Sequence, residues 1–112
     1  MIEPRVASGL LVSALIRRIE AEGGSAMVIA RGDAIAGAIL LLLADRGVLG
    51  GIAERVWRFD GGHGLEPVGP AEFAEPGIAG DYVARRRKSD PDLWVVELDH
   101  REAERIAGEV LL

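Results

Sequence analysis

Ala26-Met27-Val28-Ile29-Ala30, then Arg31-Gly32-Asp33-Ala34, then Ala38-Ile39-Leu40-Leu41-Leu42-Leu43-Ala44: here two apolar runs flank the turn dipeptide Gly32-Asp33. The link is too short for a crossover helix, so the runs are predicted to pair as an antiparallel hairpin at the centre of a sheet. The second run hardly alternates with polar residues, the pattern of a strand covered by protein on both faces. The remaining segments must supply that cover.

Upstream, Leu11, Val12, Ala14, Leu15, Ile16 and Ile19 recur at helical spacing, so a helix is predicted from Ser8, its expected cap, to Glu22. Gly23-Gly24 stops it. Arg17 and Arg18 in its last turns suit the negative end of the helix dipole. Downstream, Gly47 and Gly50-Gly51 read as a second turn, and Ile52 to Asp60 as a third strand of mixed character, more edge than centre. Gly61-Gly62-His63-Gly64 is a flexible turn, and Leu65 to Val68 a short edge strand limited by Pro67. Pro76 opens a second helix weakened by Gly77 and Gly80, which must stop before Asp90 because Pro91 follows. Leu93 to Leu98 is the last strand, placed beside the central hairpin, and Asp99 to Leu112 a short C-terminal helix. The class expected is therefore α+β: a mainly antiparallel sheet of four or five strands, two main helices on it and a short C-terminal helix, all in one domain, 1–112.

A chain of 112 residues buries roughly two-thirds of its unfolded surface, enough for one core. Apolar residues at 49% and charged residues at 28% are globular rather than disordered composition. No cysteine is present, which excludes disulfides, zinc–thiolate sites, iron–sulfur clusters and thiol catalysis together and fits a reducing cytoplasm. Glu3, Pro4 and Arg5 interrupt the first apolar run, so no signal peptide is expected. Ala34 to Ala44 is about half the ~20 residues that span a bilayer, so no membrane span is expected either. The net charge of −5 opposes non-specific binding to duplex DNA.

At Ala14-Leu15-Ile16-Arg17-Arg18, Gly23-Gly24, Arg31-Gly32-Asp33-Ala34 with Ala36-Gly37-Ala38, and above all Asp90-Pro91-Asp92-Leu93-Trp94-Val95-Val96-Glu97, the chain resembles the domain-of-unknown-function 1491 family, small alphaproteobacterial proteins. The resemblance covers most of the chain in order, including Tyr82, Ala84 and Arg85. It implies no activity. The strand after Gly37 is more apolar here than is usual in that family.

Few residues carry chemistry. Arg31-Gly32-Asp33 spells an adhesion tripeptide, but in a cysteine-free chain its Asp and Gly are there for the turn. The glycine clusters match neither a P-loop nor a dinucleotide fingerprint, so no cofactor is expected. His63 and His100 lack a third ligand at metal-site spacing and read as surface residues. No nucleophile elbow accompanies Ser8, Ser13, Ser25 or Ser89, and no residue is assigned a catalytic role. The cluster with most content is Arg85-Arg86-Arg87-Lys88 followed by Asp90, Asp92 and Trp94, which reads two ways. As a binding platform, guanidinium groups and indole hold an anion or single-stranded nucleic acid. As structure, the two aspartates fold back to neutralise the helix end and Trp94 is core. The function expected is thus a non-enzymatic interaction module, with self-association as a homodimer or another protein as its partner. It rests on the third strand as an edge and on the apolar end Val110-Leu111-Leu112. The alternative is an anionic, nucleotide-like ligand or single-stranded nucleic acid at the basic cluster.

Overall fold

The computed structural model describes residues 6–58 and 60–112. In chain order it forms α1 (Ser8–Ala21), β1 (Ser25–Ala30), β2 (Ile39–Asp45), β3 (Val48–Arg58), β4 (Gly62–Pro67), α2 (Ile78–Ser89), β5 (Trp94–Asp99) and α3 (Ala103–Leu111). The five strands make one sheet in the order β1-β5-β2-β3-β4, antiparallel except for the pair β2 and β5. This is the expected α+β class.

The two apolar runs that opened the sequence do not pair. β5 lies between them, antiparallel to β1 and parallel to β2. The physical reason is burial. β5 holds Trp94, Val95, Val96 and Leu98, each at most 4% exposed, and β2 holds Ile39, Leu40 and Leu41 at 1% or less. The two strands that bury both faces occupy the middle together, as parallel pairs do. β1 is shorter in bulky residues and is displaced to the edge. The link from Arg31 to Ala38 needs only to step over one strand, about 10 Å at ordinary strand spacing.

The true hairpin is β2 with β3, closed by Arg46 and Gly47 at φ of 52° and 78°. Two consecutive left-handed residues give the turn whose twist matches the flanking strands. The Asp99 carboxylate accepts from both turn amides, Arg46 at 2.9 Å and Gly47 at 2.8 Å, tying the hairpin to β5. Gly50-Gly51, expected in a turn, lies inside β3, where the register shifts opposite Leu43 and Ala44. β3 is an interior strand and not an edge, because β4 extends from Gly62 and covers its far side. Phe59, placed in the third strand by the sequence, lies outside the described residues.

Each face has its own core. On one, Leu11, Val12, Leu15 and Ile19 of α1 and Ala103, Ile106, Ala107 and Leu111 of α3 pack on Ile39, Leu41, Trp94, Val96 and Leu98. On the other, Leu40, Ile52, Leu93 and Val95 are covered by Phe73 and by Ala79, Tyr82 and Val83 of α2. The period-two alternation of β2 and β5 sends odd and even residues to different helices. Across the outer surface, Arg18 and Arg105 bridge Glu22 and Glu109, joining α1 to α3. Ser8 does not cap α1 as expected; Ala7 stands at that position. Its hydroxyl instead donates to the Gly37 carbonyl at 2.6 Å, anchoring the loop before β2.

Candidate functional site

The basic cluster ends α2 as the sequence predicts, but its members have different surroundings. The Arg86 guanidinium donates to Glu54 on β3 at 2.7 Å and to the Tyr82 hydroxyl at 2.8 Å. Glu54 and then Tyr82 hold it charged above the ordinary arginine range, against the cost of its partial burial. Arg87 caps backbone carbonyls, donating to Arg31 at 3.2 Å, Leu93 at 2.8 Å and Pro91 at 2.5 Å. Arg85 and Lys88 are exposed and make no ion pair among the described residues. Three residues apart, they share one helix face.

Asp90 and Asp92 do not pair with those arginines. The Asp90 carboxylate accepts from the Asp92 amide at 3.1 Å, forming the turn that the proline sets up. The Asp92 carbonyl accepts from the Asp33 amide at 3.0 Å, and the Trp94 indole N–H donates to the Asp33 carbonyl at 2.7 Å. Loops 31–38 and 90–93 are therefore one knot. Gly32 and Gly37 are required there, since a Cβ at either would run into the Asp92 carbonyl. Trp94 is 4% exposed, with the Arg31 guanidinium 5.6 Å from its ring centroid, so the indole face is already covered. The sequence reading grouped Trp94 with the arginines of α2, but the indole packs with α1 and α3 on one face of the sheet while α2 covers the other, and the guanidinium over its ring is that of Arg31. Nor did the sequence reveal Glu54 as the partner of Arg86, because that contact joins segments far apart in the chain.

His63 and His100 sit apart. His100 Nδ1 accepts from the Glu102 amide at 2.9 Å and its Nε2 lies 3.0 Å from the Glu22 carbonyl. His63 packs edge-on against Trp57, with Nδ1 3.3 Å from the Arg55 guanidinium. No group of three His, Asp or Glu residues suited to a metal ion occurs among the described residues. A groove of about 790 Å³ opens beside Ser8, Ile35, Arg55, Trp57, His63 and Leu111, but Arg55 spends a donor on the Leu111 carbonyl at 2.8 Å. No helix among the described residues is long and apolar enough to cross a membrane.

A second surface was not singled out by the sequence. As the outermost strand, β1 presents Met27, Val28 and Ile29 at 62%, 39% and 44% exposure. Ser25 to Ala30 holds no charge and no proline, and among the described residues no strand pairs with its outer row of amides and carbonyls, which can accept another strand. The opposite edge is blunted: β4 carries three positions without an ordinary side chain or amide, Gly62, Gly64 and Pro67, and its Glu66 pairs with Arg58 at 2.9 Å. The signal lay in the asymmetry of the two opening runs, the first small and mixed, the second leucine-rich. The C-terminal residues are mostly used internally: Leu111 is buried and Val110 packs on the core, leaving Leu112 exposed.

The chain matches the model of a family described as a protein of unknown function, DUF1491, over residues 6–108. No curated protein matches it. Among solved structures, it is similar to a DUF1491 family protein from Caulobacter crescentus CB15, in a crystal structure at 1.87 Å, with 35% identity, a TM-score of 0.76, and coverage of 91% of this chain and 94% of the other. An NMR structure of a DUF1491 family protein from that organism gives 32% identity and a TM-score of 0.74, with 90% and 91% covered. A protein from A. tumefaciens, solved in solution, gives 30% and 0.72, with 88% of each chain covered. The chain belongs to the DUF1491 family.

Proposed function

We propose that this chain is a cytoplasmic, non-enzymatic interaction module that engages a protein partner through the free edge of β1. The observation that carries this reading is the contrast between the two sheet edges. One is uncharged, with three consecutive exposed apolar residues; the other is broken by Gly and Pro. Edge strands are ordinarily protected by charge, proline or shortness, and an unprotected one is a template for strand addition. The test is affinity capture from the native host with wild type and Val28→Lys side by side. A partner held by wild type and lost by a folded Val28→Lys supports the reading. A variant that retains every partner overturns it.

A second reading rests on Arg85 and Lys88, exposed and without an ion pair among the described residues, and on Arg31, exposed nearby through its carbonyl contact with Arg87. These charges favour a small phosphorylated ligand or a short single strand over duplex DNA, since the net charge of −5 repels a long polyanion beyond a Debye length of ~8 Å. Salt-sensitive binding of nucleotides or oligonucleotides that Arg85→Glu with Lys88→Glu removes would support it. Absence of binding at low salt ends it.

A further inference from the structure

We infer, building on the edge reading of β1, that the partner is a second copy of this chain, joined β1 to β1 across a two-fold axis that passes Val28. Four observations lead there. First, an antiparallel pair of identical strands requires an axis normal to the sheet, which keeps α1 and α3 of both copies on the same face. Residues opposite one another in such a pair point to the same face, so the axis must pass a residue and not a midpoint between two. Second, the exposed apolar residues are Met27, Val28 and Ile29, and only an axis at Val28 opposes all of them to one another. Val28 then meets Val28 of the second copy, and Met27 meets Ile29 twice. An axis at Met27 would leave Ile29 opposite Ser25.

Third, the strand carries no charge, so self-pairing brings no like charges together across the axis. On α1, which packs over β1, Arg17 and Glu20 are exposed and make no ion pair among the described residues, whereas Arg18 and Glu22 are both paired to α3. A two-fold sets the two α1 helices antiparallel on the same face of the joined sheet, where these exposed charges of opposite sign complement rather than oppose the pairing. Fourth, the ladder of β1 with β5 shifts between Val28 and Ala30, which limits the pairable stretch to a few residues. With the other edge blunted, the assembly closes at two copies and does not propagate into a fibre.

The absence of cysteine makes the register directly readable, because any disulfide must come from an introduced residue. Met27→Cys, Val28→Cys and Ile29→Cys are oxidised in a glutathione buffer, with wild type and Val28→Lys followed by sedimentation from micromolar to millimolar concentration. Only the axis residue faces its own copy at the Cβ separation of ~5 Å, close to what a disulfide spans. Val28→Cys is expected to form the covalent dimer, its neighbours to stay reduced, wild type to sediment as a dimer, and Val28→Lys as a folded monomer. A wild type that is monomeric throughout overturns the inference, as does a dimer that survives Val28→Lys or cross-links best away from position 28. If wild type is monomeric and Val28→Lys still loses a host partner, the second copy is wrong and the edge reading stands.

Discussion

Arg86→Glu separates the structural members of the basic cluster from the available ones. The Arg86 and Glu54 side chains are 27% and 18% exposed and 2.7 Å apart, between the limits of a surface pair and a buried one. Exposed pairs contribute about 0–1 kcal/mol and broken buried pairs cost about 3–5, so Arg86→Met, which keeps the apolar stem, should cost about 2 kcal/mol. For a domain of this size about 4 °C of Tm accompanies each kcal/mol, giving a fall of about 8 °C. Arg86→Glu sets a carboxylate against Glu54 and strands the Tyr82 hydroxyl, raising the cost to about 3 kcal/mol, or about 12 °C. Arg85→Glu touches no partner and should stay within about 0.5 kcal/mol. Thermal melts followed by circular dichroism measure all three. Equal shifts for Arg85→Glu and Arg86→Glu would show that Arg86 is no more engaged than its neighbour, and so would an Arg86→Glu protein as stable as wild type. It follows that the arginines to alter in a ligand screen are not Arg86 and Arg87.

Trp94→Phe removes the donor to the Asp33 carbonyl and should cost about 1–2 kcal/mol in a urea titration; a neutral change would mean that the loop knot is not held there. Because Trp57 is 65% exposed and Trp94 buried, the same variant should leave only red-shifted fluorescence, and blue emission from it would contradict the placement. Gly37→Ala drives a methyl into the Asp92 carbonyl and should destabilise by about 1–3 kcal/mol, whereas Gly80→Ala, with open space around it, should stabilise by up to about 1 kcal/mol. Glu22 and Glu109 are held below the ordinary carboxylate value of 4.5 by hydrogen bonds to Arg18 and Arg105, and Glu102 by Arg105. Depressed folded values mean that their contribution is full above pH ~4.5 and disappears as pH falls through the lower folded values, so wild type should lose more stability below pH 4.5 than Arg18→Met with Arg105→Met. A parallel decline in both proteins would show that the network contributes nothing.

Much of the fold is readable along the chain because its signals are local. Helical spacing from Leu11 to Ile19, glycines after Glu22 and the proline after Asp90 set α1 and the end of α2 within a residue or two. Strand order was not readable from adjacency, since it depends on competition for burial between segments far apart. Ala26 to Ala30 and Ile39 to Ala44 each read as a strand, but only comparison with Trp94 to Leu98 decides which two bury both faces. Taking β3 for an edge followed from the same limit, because the cover from β4 begins at Gly62, inside a stretch whose glycines read as a turn. At the basic cluster, Trp94 as core follows from its apolar run. The burial of Arg86 does not, because Glu54 lies on a different strand.

If β1 is an interaction edge whose outer backbone groups another chain satisfies, residue-resolved amide hydrogen exchange reads that satisfaction at the strand itself. Measured at two protein concentrations, the amides of Ala26 to Ile29 that point away from β5 should exchange more slowly in the concentrated sample and lose that difference in Val28→Lys, while those of β4 exchange alike in both. Concentration-independent exchange along β1, identical in wild type and Val28→Lys, would contradict self-pairing at this edge, and if added host partner also left it unchanged, the edge itself would not be the site of interaction.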